Sequence, residues 1–267
     1  MEFKELLLEK KDGIATITLN APDKLNAITA GIRESLPLAV AEIAKDDAIR
    51  VVILTGAGRG FCAGADVTAM VGRMGAGGPP EIPRQARMAV LAMPIADIFP
   101  TLDKPVIAAI NGPCAGMGFS IALSCDIRLA SETARFTAAQ TARGLVPDSG
   151  MTYYLPLVVG ISKALELMTT AEIVGAAEAE RLGIVSRVVP PDELMKTAYE
   201  LAAKIAKNPP IPVELTKRIV YRTLVDGLYR CLDMETWAQA ICFQTQDHRE
   251  AVLSFLQKRP PAPFQGK

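Results

Sequence analysis

The sequence has one histidine, His248, and one tryptophan, and aromatic residues make up only 5% of it. A lone histidine excludes a multi-histidine metal site, and any Ser-His-Asp reading would hang on that one residue. Neither sign of charge is in excess, since 29 Lys and Arg face 29 Asp and Glu. Without a basic surplus there is no electrostatic footprint for nucleic acid or an anionic membrane. The five cysteines, Cys62, Cys114, Cys125, Cys231 and Cys242, are odd in number and include no C-x-x-C pair. That argues against a disulfide framework or a zinc knuckle and for reduced thiols. The start, Met-Glu-Phe-Lys-Glu, is charged and lacks the apolar run of a signal peptide, so a cytoplasmic protein is expected.

The composition, 50% apolar and 22% charged over 267 residues, is that of a globular chain long enough for one large domain or a domain with an appendage. One uncharged stretch, Pro105 to Cys125, has the length of a membrane span. Asn111-Gly112-Pro113 interrupts it, so a buried strand, a turn and a buried helix are expected instead. Lys11-Asp12-Gly13 reads as a hairpin turn between Leu6–Glu9 and Ile14–Leu19. Thr29 could cap a helix to about Lys45, with Leu36, Val40, Ile43 and Ala44 on one face. Strands are expected at Val51–Leu54, Val106–Ile110 and Ile127–Leu129, with helices near Ala65, through Phe99 and from about Gly116. This alternation predicts an α/β core with parallel strands. Residues 72–83, rich in glycine and proline, are expected as a mobile surface loop; Met70, Met74 and Met88 could line a pocket or simply be core. Two domains are expected: a core over 1–190 and, after Pro190-Pro191, an all-helical region over 191–267 whose apolar surplus must pack on the core or a second subunit.

Three loops carry possible chemistry. Gly60-Phe61-Cys62-Ala63-Gly64-Ala65-Asp66 follows a strand and enters a helix, so small residues leave main-chain N–H groups approachable at the positive end of a helix dipole. Asn111-Gly112-Pro113-Cys114-Ala115-Gly116-Met117-Gly118 repeats that plan. If the two converge, they form a pair of N–H donors for an oxyanion; otherwise both are ordinary glycine turns. Neither fits a Walker A or dinucleotide fingerprint. In Gly144-Leu145-Val146-Pro147-Asp148-Ser149-Gly150 the acid either caps a helix at Met151–Val159 or is desolvated by its apolar neighbours into a proton shuttle. Gly118-Phe119-Ser120-Ile121-Ala122 only approaches a nucleophile elbow, and His248 reads as part of a solvated helix face.

Taken with Lys24-Leu25-Asn26-Ala27, Phe136–Gly150, Ala177–Val189 and Phe255-Leu256-Gln257-Lys258-Arg259, these loops resemble the crotonase (enoyl-CoA hydratase/isomerase) superfamily over essentially the whole chain. The resemblance implies an α/β fold, a crotonase-like spiral of β-β-α units with a helical C-terminal region, in homotrimers or dimers of trimers. It implies an acyl-CoA substrate, with coenzyme A as part of that substrate and no separate cofactor, metal, nucleic-acid or membrane partner. The thioester oxygen would lie between the N–H groups of Ala65 and Met117. Substrate contacts would come from Lys24, Asn26, Ala27, Ala63, Gly64, Asp66, Val67, Gly116, Gly118, Ser120, Gln140, Phe255 and Lys258, the last two toward a neighbouring subunit's ligand.

The sequence departs from the family where its hydratases carry two glutamates, for Ser120 and Gln140 stand there. Asp148 falls where several enoyl-CoA isomerases carry a single acid. The expectation is therefore an isomerase that shifts a double bond in an unsaturated acyl-CoA, 3-enoyl to 2-enoyl, with Asp148 carrying the proton. A hydratase, another crotonase-type lyase or hydrolase of acyl-CoA degradation, and a non-catalytic acyl-CoA binder remain the alternatives.

Overall fold

Asp12 and Gly13 both take positive φ, 51° and 78°, which is the backbone of a two-residue hairpin turn. They join β1 (Leu6–Lys11) to β2 (Ile14–Leu19) in antiparallel register, Lys11 opposite Ile14. The computed structural model describes residues 3–66, 97–222 and 224–265. Val67, Met70, Met74, Met88 and the expected loop at 72–83 lie outside the described residues.

Thr29 caps α1 (Ala30–Ala44) as expected, its hydroxyl accepting from the Ile32 N–H at 3.2 Å. Leu36, Val40 and Ile43 are buried; Ala44, expected beside them, is exposed. Next come β3 (Val51–Gly56), β4 (Val106–Ile110), β5 (Pro113–Ala115), α2 (Met117–Ser124), β6 (Ile127–Ser131) and β7 (Arg135–Thr137). The uncharged stretch is thus β4, a turn with β5, and α2, and among the described residues no helix is long and apolar enough to cross a membrane. The helix expected through Phe99 shows only turn at its described end, residues 97–101. Beyond β7 lie α3 (Met151–Val159), α4 (Ile161–Thr170), β8 (Val174–Gly175), α5 (Ala176–Arg181) and β9 (Arg187–Val189). Four helices follow: α6 (Leu194–Ala206), α7 (Pro210–Arg222), α8 (Val225–Cys242) and α9 (Gln246–Leu256).

One sheet runs β1-β2-β3-β4-β6-β9, parallel after the hairpin; a smaller one runs β5-β7-β8. Every residue of β3 is buried, as a strand covered on both faces must be. Val52 and Leu54 enter the main core with α1, whereas Val51 and Ile53 face Leu194, Ala198 and Ala202 of α6. At about 1.5–3 kcal/mol for each large aliphatic side chain buried, both faces pin the strand whose end feeds the first glycine loop.

Candidate active site

The two glycine loops meet at main-chain contact. Cys62 and Cys114 form a parallel bridge, Ala115 N–H donates to Cys62 C=O at 2.9 Å, and Cys62 N–H donates to Pro113 C=O at 3.1 Å. Gly64 has φ +96°, and a Cβ there would lie 2.8 Å from the Ala115 oxygen and 3.4 Å from the Met117 nitrogen, so nothing larger fits. A Cβ on Gly118 would stand 2.3 Å from the Cys62 oxygen. The side chains are therefore small because two backbones cross, and the crossing sets Gly64-Ala65 against the start of α2. Among the described residues no backbone carbonyl accepts from the N–H of Ala65 or of Met117, and Met117 opens a helix, where first-turn N–H groups have no partner within the helix. Both cysteine thiols are fully buried, which pushes the Cys62 thiol up to about 12 and removes it as a nucleophile.

The third loop lies against the second. Ser120 Oγ, one turn into α2, donates to the Asp148 C=O at 2.8 Å. Gln140 Nε2 donates to Asp148 Oδ1 at 3.4 Å, and the same amide sits 3.9 Å from where a Gly116 Cβ would be. Its other atom, Oε1, is buried without a hydrogen-bond partner among the described residues. The cap reading of Asp148 fails, because α3 has Gly150 at its N-cap, with φ +81° and no side-chain cap bond. Between the acid and the helix, Ser149 and Gly150 take two left-handed steps in succession, φ 59° and 81°. Burial raises the Asp148 carboxyl above its ordinary 3.8, while donors from Gln239, Gln140 and Ser149 oppose the rise.

Two residues of α8 complete the site and were not singled out in the sequence. Gln239 Nε2 donates to Asp148 Oδ2 at 2.9 Å, and its Oε1 accepts from the Val146 N–H at 3.1 Å. Glu235 accepts from the N–H groups of Gly150, at 2.9 Å, and Thr152, at 3.1 Å, and from the Thr152 hydroxyl. Burial, with the Asp148 charge adding to it, pushes the Glu235 carboxyl up to about 7. A signal for both was present: Leu228, Leu232, Glu235 and Gln239 are all buried and follow helical spacing, so two polar residues continue an apolar stripe.

The remaining expected residues are arranged as follows. Lys24 Nζ pairs with Asp66 at 2.9 Å at the rim of the first loop, with Lys24 half exposed. Asn26 is fully buried with φ 55°, and its side chain accepts from Ala21 N–H and donates to the carbonyls of Ala57 and Gly60. That side chain ties the turn before α1 to the first glycine loop, and Ala63 N–H adds a bond to Leu25 C=O at 2.9 Å. Ala27 is buried beside it. Phe255 lies under the Arg143 guanidinium, 3.8 Å from carbon to ring centroid. Lys258 is exposed in the turn after α9. Among the described residues no hydrogen bond or ring contact joins either to Asp148 or to the glycine loops. His248 corrects the expectation of a solvated face: it is 1% exposed, its Nδ1 is 2.6 Å from Arg143 C=O, and it packs edge-on to Phe243. Its backbone crowds Gly144, where a Cβ would lie 2.6 Å from the His248 Cα, so it is part of the packing between α9 and the turn before the Asp148 loop.

A sequence model of the family described as enoyl-CoA hydratase/isomerase matches residues 9–267. The chain is 37% identical to a short-chain-enoyl-CoA hydratase of Clostridium acetobutylicum, with all of each chain covered. It is 35% identical to the 1,2-epoxyphenylacetyl-CoA isomerase of Escherichia coli, again over all of both chains. Among solved structures, an enoyl-CoA hydratase from Mycobacterium avium subsp. paratuberculosis superposes with a TM-score of 0.86 at 30% identity, covering 99% of this chain and 100% of that one. The architecture described above is therefore the crotonase fold.

Proposed function

Starting from a chain that belongs to the enoyl-CoA hydratase/isomerase family, we propose that this member is an isomerase that moves the double bond of a 3-enoyl-CoA to the 2-position. One observation carries the reading. Asp148 is held against the second glycine loop by Ser120 Oγ, which donates to its main-chain carbonyl, and by Gln140 Nε2, which donates to its carboxylate. Neither of those side chains has a carboxylate with which to activate water.

The thioester oxygen would be received by the N–H groups of Ala65 and Met117, with the small residues Ala63, Gly64, Gly116 and Gly118 letting it approach. Asp148 removes a proton from C2; the negative charge is shared by C2, C4 and the thioester oxygen as a dienolate. The same carboxyl returns the proton to C4, leaving the double bond between C2 and C3. A base whose carboxyl is raised by burial holds the transferred proton better than an ordinary aspartate does. The two N–H groups stabilise charge that develops only on the way to the dienolate. Lys24 and Asp66 form the rim that would carry the CoA nucleotide, and the buried Asn26 and Ala27 hold the turn behind it.

The hydratase name of the Clostridium relative favours a competing reading, addition of water to a 2-enoyl-CoA. Turnover of matched 2-enoyl and 3-enoyl esters, read by product identity and repeated with Asp148→Asn, tests the choice. The isomerase reading expects interconversion of the enoyl esters and a loss of about a thousandfold or more in kcat in the variant, with CoA-ester affinity kept. A 3-hydroxyacyl product would establish hydration, and undiminished turnover by Asp148→Asn would remove Asp148 from the chemistry.

A further inference from the structure

Asp148 is gripped from one side by a helix residue that lies 91 positions away in sequence. On α8, Glu235 and Gln239 are one turn apart and both buried, 4% and 6% exposed. Gln239 bonds Val146 and Asp148, on one flank of the loop; Glu235 bonds Gly150 and Thr152, on the other. The pair therefore fixes four positions around the acid, and of the two only Gln239 reaches the carboxylate. Glu235 spends its oxygens on the loop itself, accepting from the N–H groups of Gly150 and Thr152 and from the Thr152 hydroxyl, and little of it meets solvent.

We propose that Gln239 is a positioning residue for the reaction: its amide holds Asp148 Oδ2 so that the opposite oxygen is presented to the substrate, with Glu235 anchoring the loop on which the acid rides. The inference rests on the isomerase reading of Asp148 and deepens it. A neutral amide suits this place because it donates to the carboxylate through Nε2 while accepting from a main-chain N–H through Oε1, which a carboxylate or an ammonium cannot do. Oδ1 has only longer bonds, from Gln140 Nε2 at 3.4 Å and the Ser149 hydroxyl at 3.5 Å, so no bond on it is as short as the one from Gln239 on Oδ2. Among the described residues, the titratable group whose charge meets that of Asp148 is Glu235, which in turn interacts with Cys231 on its own helix and Tyr154 from α3. The donor favours the ionised form of Asp148, so its loss moves the acid limb of activity upward.

The test is steady-state kinetics against pH with a 3-enoyl-CoA ester, comparing wild type, Gln239→Leu and Gln239→Glu. Gln239→Leu removes both bonds; Gln239→Glu keeps an acceptor for Val146 and replaces only the donor. The expected result is a fall of about tenfold in kcat, KM within about twofold, and an acid limb moved up by about one pH unit, further in Gln239→Glu than in Gln239→Leu. If Gln239→Leu does not fold, Gln239→Glu decides alone. Folded variants with an unmoved acid limb and unchanged kcat overturn the inference. Full activity of Asp148→Asn would instead sink the reading beneath it, so the two failures are distinguishable.

Discussion

Replacing Glu235 by Gln should change how stability depends on pH, and the size of the change follows from the site. The carboxyl is 4% exposed, and burial with the nearby Asp148 charge raises it from 4.5 to about 7 despite donors from Gly150 and Thr152. Between those values the folded chain holds a proton that the unfolded chain has released. The contribution of this group to stability therefore falls by roughly 3 kcal/mol as pH rises through the window and is level above it. An amide in its place carries no such proton. The Nε2 end of that amide cannot accept from the loop, so the variant starts from a constant deficit of about 1–3 kcal/mol. The informative quantity is the difference between the two unfolding free energies, measured by urea titration and circular dichroism at one protein concentration. The variant should gain on the wild type by roughly 3 kcal/mol between about pH 4.5 and about pH 8, because titrations that Glu235 does not influence cancel in the difference. A difference that stays flat across that range would falsify the assignment of a displaced proton to Glu235.

Two further outcomes are expected. Ala65→Pro deletes one of the two approachable N–H groups and should lower kcat by about a hundredfold in a protein that still folds; unchanged kcat would mean the donor lies elsewhere. Gly118→Ala should cost about 3 kcal/mol or more in urea titration, since its Cβ would lie 2.3 Å from the Cys62 oxygen, whereas Gly175→Ala, whose Cβ meets nothing within 4 Å, should stay within about 1 kcal/mol; equal costs would contradict the backbone crossing.

What could be read from the sequence follows from how local each signal is. The Asp12-Gly13 turn, the Thr29 cap and the Met151–Val159 helix depend on contacts within a few residues, and the structure has them where the residue types indicated. The approach of the two glycine loops was one of two readings in sequence, because only the fold brings Cys62 beside Cys114. Glu235 and Gln239 escaped notice because their partners are 83 to 93 residues away, and a carboxylate or an amide on a helix is ordinarily solvated. His248 was misread for the same reason. Its spacing to Ala251 and Val252 marks a buried face, and the polarity of its neighbours Asp247 and Arg249 hid it.

The central claim is that the reaction moves a proton and never adds water. Incubation of a 3-enoyl-CoA ester in oxygen-18 water, followed by mass spectrometry of the acyl product, addresses it directly. The account expects a 2-enoyl-CoA ester with no oxygen-18 in the acyl chain, whereas a labelled 3-hydroxyacyl-CoA formed at the enzyme's turnover rate would contradict it.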